Sequence, residues 1–565
     1  MQLNSALKIA ILSVLGMSLP VHAQTASDQG VEELRSTLVS VMEALVQKGV
    51  LTRDQAQQIV ANAQAKTEAA AKEKAAKELA EKDAVHVAYV PEIVREQITK
   101  KISEELKPAV TKDVIDQAKS EKWGVPGALP DWIGRVSLSG DLRLRFQNDS
   151  FSADNMPNSY KNYLAINSAG GDTKAGAAAF LNTTEDRFRE RLRMRVGLDA
   201  KVTDGVSAGI RLATGSLTDP VSTNQNLGTS SNRYQFSVDQ AYLRYDLKHG
   251  SDQPWMSLWA GKMPSPWVST DLVWDPDLQF DGVAGKFNYS FGDKKTRLNS
   301  VFLTLGAFPL QEVELSPKDK WLYGAQVGVE WPFGDGVRTH IAGAYYYFDQ
   351  ISGRQNAPNN TLLNYTAPQS IQKGNTVFDI LSDSDPSTNL YALAADYHLL
   401  NINASVEVPL ANHLLMISAD YVNNLGFNQN RLLNKVGYTS INDVAEKDRL
   451  LYDKQVNGAQ LVVTYGTTQT GHRGNWRSEV AYKYLERDAV VDAFTDSDFH
   501  LGGTGAKGYV LKSDWWFRDR NWLTMRYIST DEIAKSKLSS DGKTVFTDAP
   551  PFGVDTFMLD INGQF

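Results

Sequence analysis

The chain has 565 residues, with 58 basic against 66 acidic side chains for a formal charge of −8, 42% hydrophobic residues and no cysteine. A mean hydropathy of −0.34 excludes a bundle of membrane helices, and a pI near 5.6 argues against a nucleic-acid partner, which needs a basic surface. The lack of cysteine excludes disulfide scaffolds, iron–sulfur clusters, zinc-thiolate sites and thiol nucleophiles.

Residues 1–23, MQLNSALKIAILSVLGMSLPVHA, carry a positive Lys8, an apolar stretch from Ile9 to Leu19, and a small-residue ending at Ala23. That run is too short to span a membrane and is expected to be a secretory signal cleaved after Ala23. Val31, Leu34, Leu38, Val41 and Leu45 then repeat at the 3-4 spacing of a coiled-coil seam, for about two heptads only. Thr52-Arg53-Asp54-Gln55 reads as a capping box. In the following AKTEAAAKEKAAKELAEK, the pairs Glu68/Lys72, Glu73/Lys77 and Glu78/Lys82 support an exposed helix. Residues 24–122 are therefore expected to be helical, as a solvated spacer or as an oligomeric periplasmic stalk. Residues 123–132, rich in Gly and Pro, form a linker. Aromatic content changes sharply here: of 12 Trp, 22 Tyr and 21 Phe, only Tyr89 and Trp123 precede residue 131.

Beyond Trp132 the hydrophobic period changes to two. Val136, Leu138, Leu142, Leu144 and Phe146 alternate with Arg135, Ser137, Ser139, Asp141, Arg143 and Arg145. Leu192, Met194, Val196, Leu198, Ala200 and Val202 likewise oppose Arg187, Arg189, Arg191, Arg193 and Arg195, and Thr203-Asp204-Gly205 makes a hairpin turn. About sixteen such segments follow one another, near 134–147, 187–202, 206–214, 236–248, 255–263, 280–291, 297–306, 321–331, 337–349, 397–409, 414–423, 457–467, 475–486, 508–517, 522–530 and 555–565. Short connections alternate with long ones near 148–186, 215–235, 264–279, 307–320, 350–396, 424–456, 487–507 and 531–554. An even strand count with short turns at one rim and long loops at the other predicts an all-β transmembrane barrel of about 16 antiparallel strands over 133–565. In hydrocarbon every backbone amide must be paired internally, and a sheet achieves this only by closing. Apolar side chains should face outward and polar ones inward. Aromatic clusters such as Trp321, Tyr323 and Trp331 should mark the headgroup levels. The final FMLDINGQF places Phe557, Leu559, Ile561 and Phe565 on one face of a barrel-closing strand.

The segments AYVPEIVREQI (88–98), WGVPGALPDWIGRVSLSGDLRLRFQ (123–147), WAGKMPSPW (259–267) and LQFDGVAGKF (278–287) resemble the putative-porin family of Gram-negative bacteria. The resemblance implies a periplasmic helical segment joined to an outer-membrane barrel, passive diffusion of small solutes, a trimer, and a terminal Phe565 read by the assembly machinery. It implies no particular substrate and no cofactor.

A pore acts through its lining, where rings of charge set ion preference. The candidate lining is a basic wall. Arg187, Arg189, Arg191, Arg193 and Arg195 share one strand face at ~6–7 Å steps, from the ~3.3 Å rise per residue. Arg143, Arg145 and Arg211 lie on neighbouring strands and Arg244 on the next. General porins resembling this chain fold a loop into the lumen, and the third long loop here, PSPWVSTDLVWDPDLQ, carries Asp271, Asp275 and Asp277. These are expected to face the arginines across a constriction, giving a lean toward small anions. Glu190, on the apolar side of its strand, should sit above the membrane or in a subunit interface, since charge is costly on the lipid face at mid-depth.

Asp383/Asp385 and Asp496/Asp498 lack a full calcium-loop pattern and read as solvated acidic loops. No HExxH or Ser-His pairing signals an enzyme, and no metal site is expected. The expected partners are the outer membrane with its lipopolysaccharide, the assembly machinery, small hydrophilic solutes and two further copies of the chain. The competing role is a structural anchor whose helices tether the barrel to the cell wall. An adhesin acting through the 350–396 and 424–456 loops is a third class.

Overall fold

The computed structural model describes residues 135–248, 253–291, 299–314, 316–333, 336–383, 385, 387–444, 452–533, 537–538, 544–545 and 551–565. The expected signal (1–23), helical segment (24–122) and linker (123–132) lie outside the described residues.

Sixteen long strands run in chain order: β1 (Val136–Phe151), β2 (Arg187–Thr203), β3 (Val206–Thr214), β4 (Phe236–Lys248), β5 (Pro254–Pro264), β6 (Gln279–Phe291), β7 (Asn299–Gln311) and β8 (Lys320–Phe333). They continue as β9 (Val337–Asp349), β10 (His398–Leu410), β11 (His413–Asn424), β12 (Asn457–Thr467), β13 (Trp476–Leu485), β14 (Ala506–Arg518), β15 (Asn521–Glu532) and β16 (Gly553–Gln564). Each pairs antiparallel with the next, and β16 pairs back onto β1 with Phe146 opposite Leu559, so the sheet is closed. At the seam the backbone amides and carbonyls of Gly140 and Phe565 exchange bonds of 3.1 and 3.0 Å. The sixteen segments legible in the sequence correspond one for one to these strands. The first turn works as its sequence requires: Gly205 has φ +75°, and a Cβ there would come within 2.8 Å of the Asp246 carbonyl oxygen.

The outward faces expose Leu138, Leu198, Ile210, Leu243, Val283, Val327, Leu461 and Val480. Exposed aromatics form two belts. Phe236, Tyr323, Tyr345, Tyr421, Tyr482, Tyr509, Tyr527 and Phe557 lie toward the long loops, while Trp255, Phe291, Phe333, Tyr465, Trp515 and Phe565 lie toward the turns. The eight steps from Phe557 to Phe565 span ~26 Å along the strand, so a tilted strand sets the belts about 20 Å apart, close to the apolar band of such barrels. Glu190 is exposed, and its neighbours Arg191 and Leu192 pair with Asn226 and Gln225 of the second long loop, at the long-loop end.

The interior departs from the expected polar lining. Trp259, Met263, Phe280, Phe308, Leu322, Tyr346, Phe348 and Leu399 project from β5–β10 into one buried cluster. It is completed by Trp267, Leu272, Val273 and Trp274 of the third long loop (residues 265–278, L3), with residues of the fifth (350–397, L5) and seventh (486–505, L7). Strands such as β9, IAGAYYYFD, are apolar on both faces because one meets lipid and the other meets loops packed inside. The fourth long loop is also shorter than expected, since β7 runs on to Gln311.

Candidate functional site

L3 is held on the inside of the barrel by residues of many strands. Its Val268 backbone exchanges bonds of 2.9 and 2.7 Å with the Gln326 amide of β8 and accepts from Asn403 of β10. Thr270 donates to Asp420 of β11 from its amide and, at 2.6 Å, its hydroxyl. Trp267 packs edge-on against Phe308 and Tyr346, and Trp274 against Phe280 and Tyr346, with ring centroids 5.0–6.0 Å apart. Gly324 makes room for this anchor, because a Cβ there would lie 2.6 Å from the Trp267 ring.

The opposite part of the interior is charged. Arg143 stands directly opposite Arg193 and Arg145 opposite Arg191 in the β1–β2 ladder, a like-charge arrangement that is unfavourable unless counter-charges intervene. They do. Arg145 grips Asp560 of β16 through two bonds of 2.8 and 2.9 Å and Asp498 of L7 at 2.9 Å. Arg193 and Arg195 share Asp141 of β1 at 2.9 and 2.7 Å. Arg189 pairs with Asp149 at 2.5 Å, Arg211 with Asp239 at 2.6 Å and Arg244 with Asp246 at 2.8 Å. A register shift after Arg211 turns Asp239 toward it. Arg187 lies exposed at the long-loop end of the column.

The three L3 aspartates do not form one acidic wall facing the arginines across a gap. Asp277 reaches Arg193 and Arg195 at 3.6 and 3.4 Å and accepts from the Thr223 hydroxyl of the second long loop. Asp271 goes to the far side, meeting Lys483 of β13 at 3.1 Å, Gln460 of β12 at 2.9 Å and Arg526 of β15 at 4.0 Å. Asp275 turns to L7, where it accepts from the Ser497 amide. The physical reason is the path of L3, which touches both walls because its tryptophans are seated between β7, β8 and β9.

Asp496 and Asp498 are the second correction, for they are not solvated. Asp496 is 5% exposed and pairs with Lys483 at 3.0 Å, while Asp498 bridges Arg145 and Arg526, each at 2.9 Å. Sequence reading missed them, along with Lys483 and Arg526, because a loop's acidic pair carries no mark of the wall it will meet. The inward positions of Lys483 and Arg526 on alternating strands were the available signal. Within this interlocked set, six cations (Arg143, Arg145, Arg193, Arg195, Lys483, Arg526) face six carboxylates (Asp141, Asp271, Asp277, Asp496, Asp498, Asp560).

Burial alone would raise the carboxyl pKa of Asp277, but Arg193 and Arg195 outweigh it and hold the group below the usual carboxylate range. Burial at Asp271 is similarly outweighed by Lys483 and Arg526, and at Asp498 by Arg145 and Arg526. At Asp275 burial, reinforced by Asp277 and Asp496, pushes the carboxyl well above its ordinary value.

A closed sheet with a greasy exterior, aromatic belts and a charged, loop-lined interior defines a β-barrel of the outer-membrane type. The family described as "Putative porin" matches residues 35–565, and the chain belongs to that family of outer-membrane porins. No curated protein matches in sequence. Among solved structures, OprB of Pseudomonas putida aligns at 11% identity over 76% of this chain and 94% of its own, with a TM-score of 0.39. An anion-selective porin from Comamonas acidovorans aligns at 9% identity over 76% and 99%, with a TM-score of 0.37. The trimer form of OmpT from Vibrio cholerae aligns at 11% identity over 76% and 99%, also at 0.37.

Proposed function

We propose that this porin forms a water-filled channel for passive diffusion of small hydrophilic solutes, leaning toward anions. The observation that carries the lean is the uneven neutralisation of the arginine column. Around L3 cations and carboxylates balance, whereas toward the long loops Arg189 pairs with Asp149, and Arg187 and Arg191 have no carboxylate at ion-pair distance among the described residues. Net positive charge at the mouth of a low-dielectric bore concentrates anions and raises their entry rate. In this reading Arg143, Arg145, Arg187, Arg189, Arg191, Arg193, Arg195, Arg211 and Arg244 line the path, and Asp271, Asp275 and Asp277 fix the constriction. The domain plan is signal (1–23), periplasmic helical segment (24–122), linker (123–132) and barrel (133–565), assembled as a homotrimer among lipopolysaccharide with Phe565 read during assembly.

The test is conductance of purified protein in planar bilayers. Discrete open steps are expected, with a reversal potential in a tenfold KCl gradient that reports chloride preference. R187Q/R191Q should move that potential toward the potassium value, and an unchanged potential would remove the anion assignment. A second reading, the barrel as an anchor, is favoured by the volume of L3, L5 and L7 packed inside. Absence of any open steps would decide for it.

A further inference from the structure

We propose that the side-on edge of the Arg191 guanidinium is a binding subsite for small oxyanions such as carboxylates, a deepening that rests on the channel reading above. Arg191 occupies an inward position of β2, in register with Arg145 on one side and Asn226 on the other. Its Nη1 donates to the Gln147 side-chain oxygen at 3.2 Å, its one side-chain hydrogen bond among the described residues. Its Nε is buried without a partner, and Nη2 donates to no described residue. The Nε–Nη2 pair is the edge with which a guanidinium grips a planar carboxylate through two parallel bonds.

The surroundings separate Arg191 from the neighbouring buried arginines. Arg143, Arg145, Arg189, Arg193 and Arg195 each have a carboxylate within 3.9 Å. Asp498 and Asp219 act on Arg191 electrostatically, but neither lies within ion-pair distance of it. A second buried donor lies on the neighbouring strand: the Nε of Arg143 has no partner either, while its Nη2 donates to Asn224 at 2.5 Å. A buried donor left unmade is costly, which gives an incoming oxyanion something to satisfy that a halide, with no second oxygen, cannot match. Arg187 and Arg189 stand above it on the same face, so an anion entering from the long-loop mouth meets cations before it meets Arg191. One bidentate contact in a hydrated passage binds weakly enough to release the solute, as conduction demands.

The experiment reads chloride current through single channels while acetate, succinate or inorganic phosphate is titrated in. In the parent protein the unit chloride current should fall saturably, half-maximally in the millimolar range, with at least one of the three. R191K keeps the charge and removes the fork, so the oxyanion effect should weaken tenfold or more. Acetate and succinate acting without phosphate identify carboxylates, and phosphate acting alone identifies phosphoryl groups. Channels that conduct chloride with no saturable effect of any oxyanion overturn the subsite and leave the porin reading intact. An effect that persists undiminished in R191K overturns it equally. A parent protein with no open steps sinks both readings together.

Discussion

Asp498→Asn tests whether the charge network docks L7 inside the barrel. The carboxylate sits between Arg145 and Arg526, 2.9 Å from each, with the arginine side chains only 4% and 17% exposed. Removing one member of a buried ion pair costs ~3–5 kcal/mol, because the remaining charge is left uncompensated. Here part of the loss is recovered, since Arg145 keeps its two-bond grip on Asp560 and Arg526 keeps Asp496 at 3.6 Å. A cost of about 2–3 kcal/mol for L7 docking remains, which raises the undocked population roughly 30- to 150-fold at ~1.4 kcal/mol per decade. The barrel itself should hold, because its ladders do not involve this side chain. Hydrogen exchange by mass spectrometry should therefore show amides of 499–505 exchanging tens of times faster, with β14 and β15 unaffected. The substitution also leaves the network with one uncompensated positive charge, so chloride preference should increase in the same sample. Unchanged exchange in L7 together with unchanged selectivity would refute the reasoning.

Trp267→Ala should weaken the L3 anchor by about 3–5 kcal/mol and raise single-channel conductance, because the ring fills a buried site beside Gly324. Gly324→Val should displace the same ring, so the double variant should cost clearly less than the sum of the singles in a thermal-melting cycle; additivity would separate the two positions. Exchange protection of the L5–L7 contact should depend on pH. Lys373 is enclosed by the carbonyls of His500 and Gly502, and burial pulls its ammonium down to about 7. The folded contact thus binds fewer protons than the opened one between about pH 7 and 10.5, and protection should rise across that window by up to ~1.4 kcal/mol per pH unit. Asp492, pushed by burial up to about 7, acts in the opposite sense but only below that value, and His500 stays neutral throughout. K373M should flatten the slope, and a parent protein with no slope above pH 7 would contradict the assignment.

The barrel was legible because lipid imposes a strict rule on one face of each strand. Sixteen segments, the alternation of turns with long loops and the aromatic belts all follow from that rule. So does the arginine column, which shows as five alternate residues of one strand. What the column touches was not legible. Asp141 and Asp560 are single acidic residues on inward positions, and pairing them with Arg195 and Arg145 requires the register of β1 against both β2 and β16. The L3 aspartates were found because they follow a strand in the order where an inward loop is expected, yet their division between two walls depends on where Trp267 and Trp274 lodge. Asp496 and Asp498 were misread as solvated because composition cannot tell a loop bathed in water from one folded into a bore. The apolar half of the interior was hidden for a related reason: alternation reports a contrast between two faces, and β9 offers none.

The seam between β1 and β16 also governs how such a chain must be made. Arg145 and Asp560, ion-paired neighbours at the closure, are separated by 415 positions in sequence. Contacts this remote close the largest entropic loop available to the chain, and topologies dominated by them form slowly. Until residues 553–564 arrive, β1 and β15 each present an unsatisfied edge, the template on which unrelated strands aggregate. Closure is thus the last step and the most exposed one, and the ring of Phe565 lying over the bare backbone of Gly140 is where the cylinder is finally fastened.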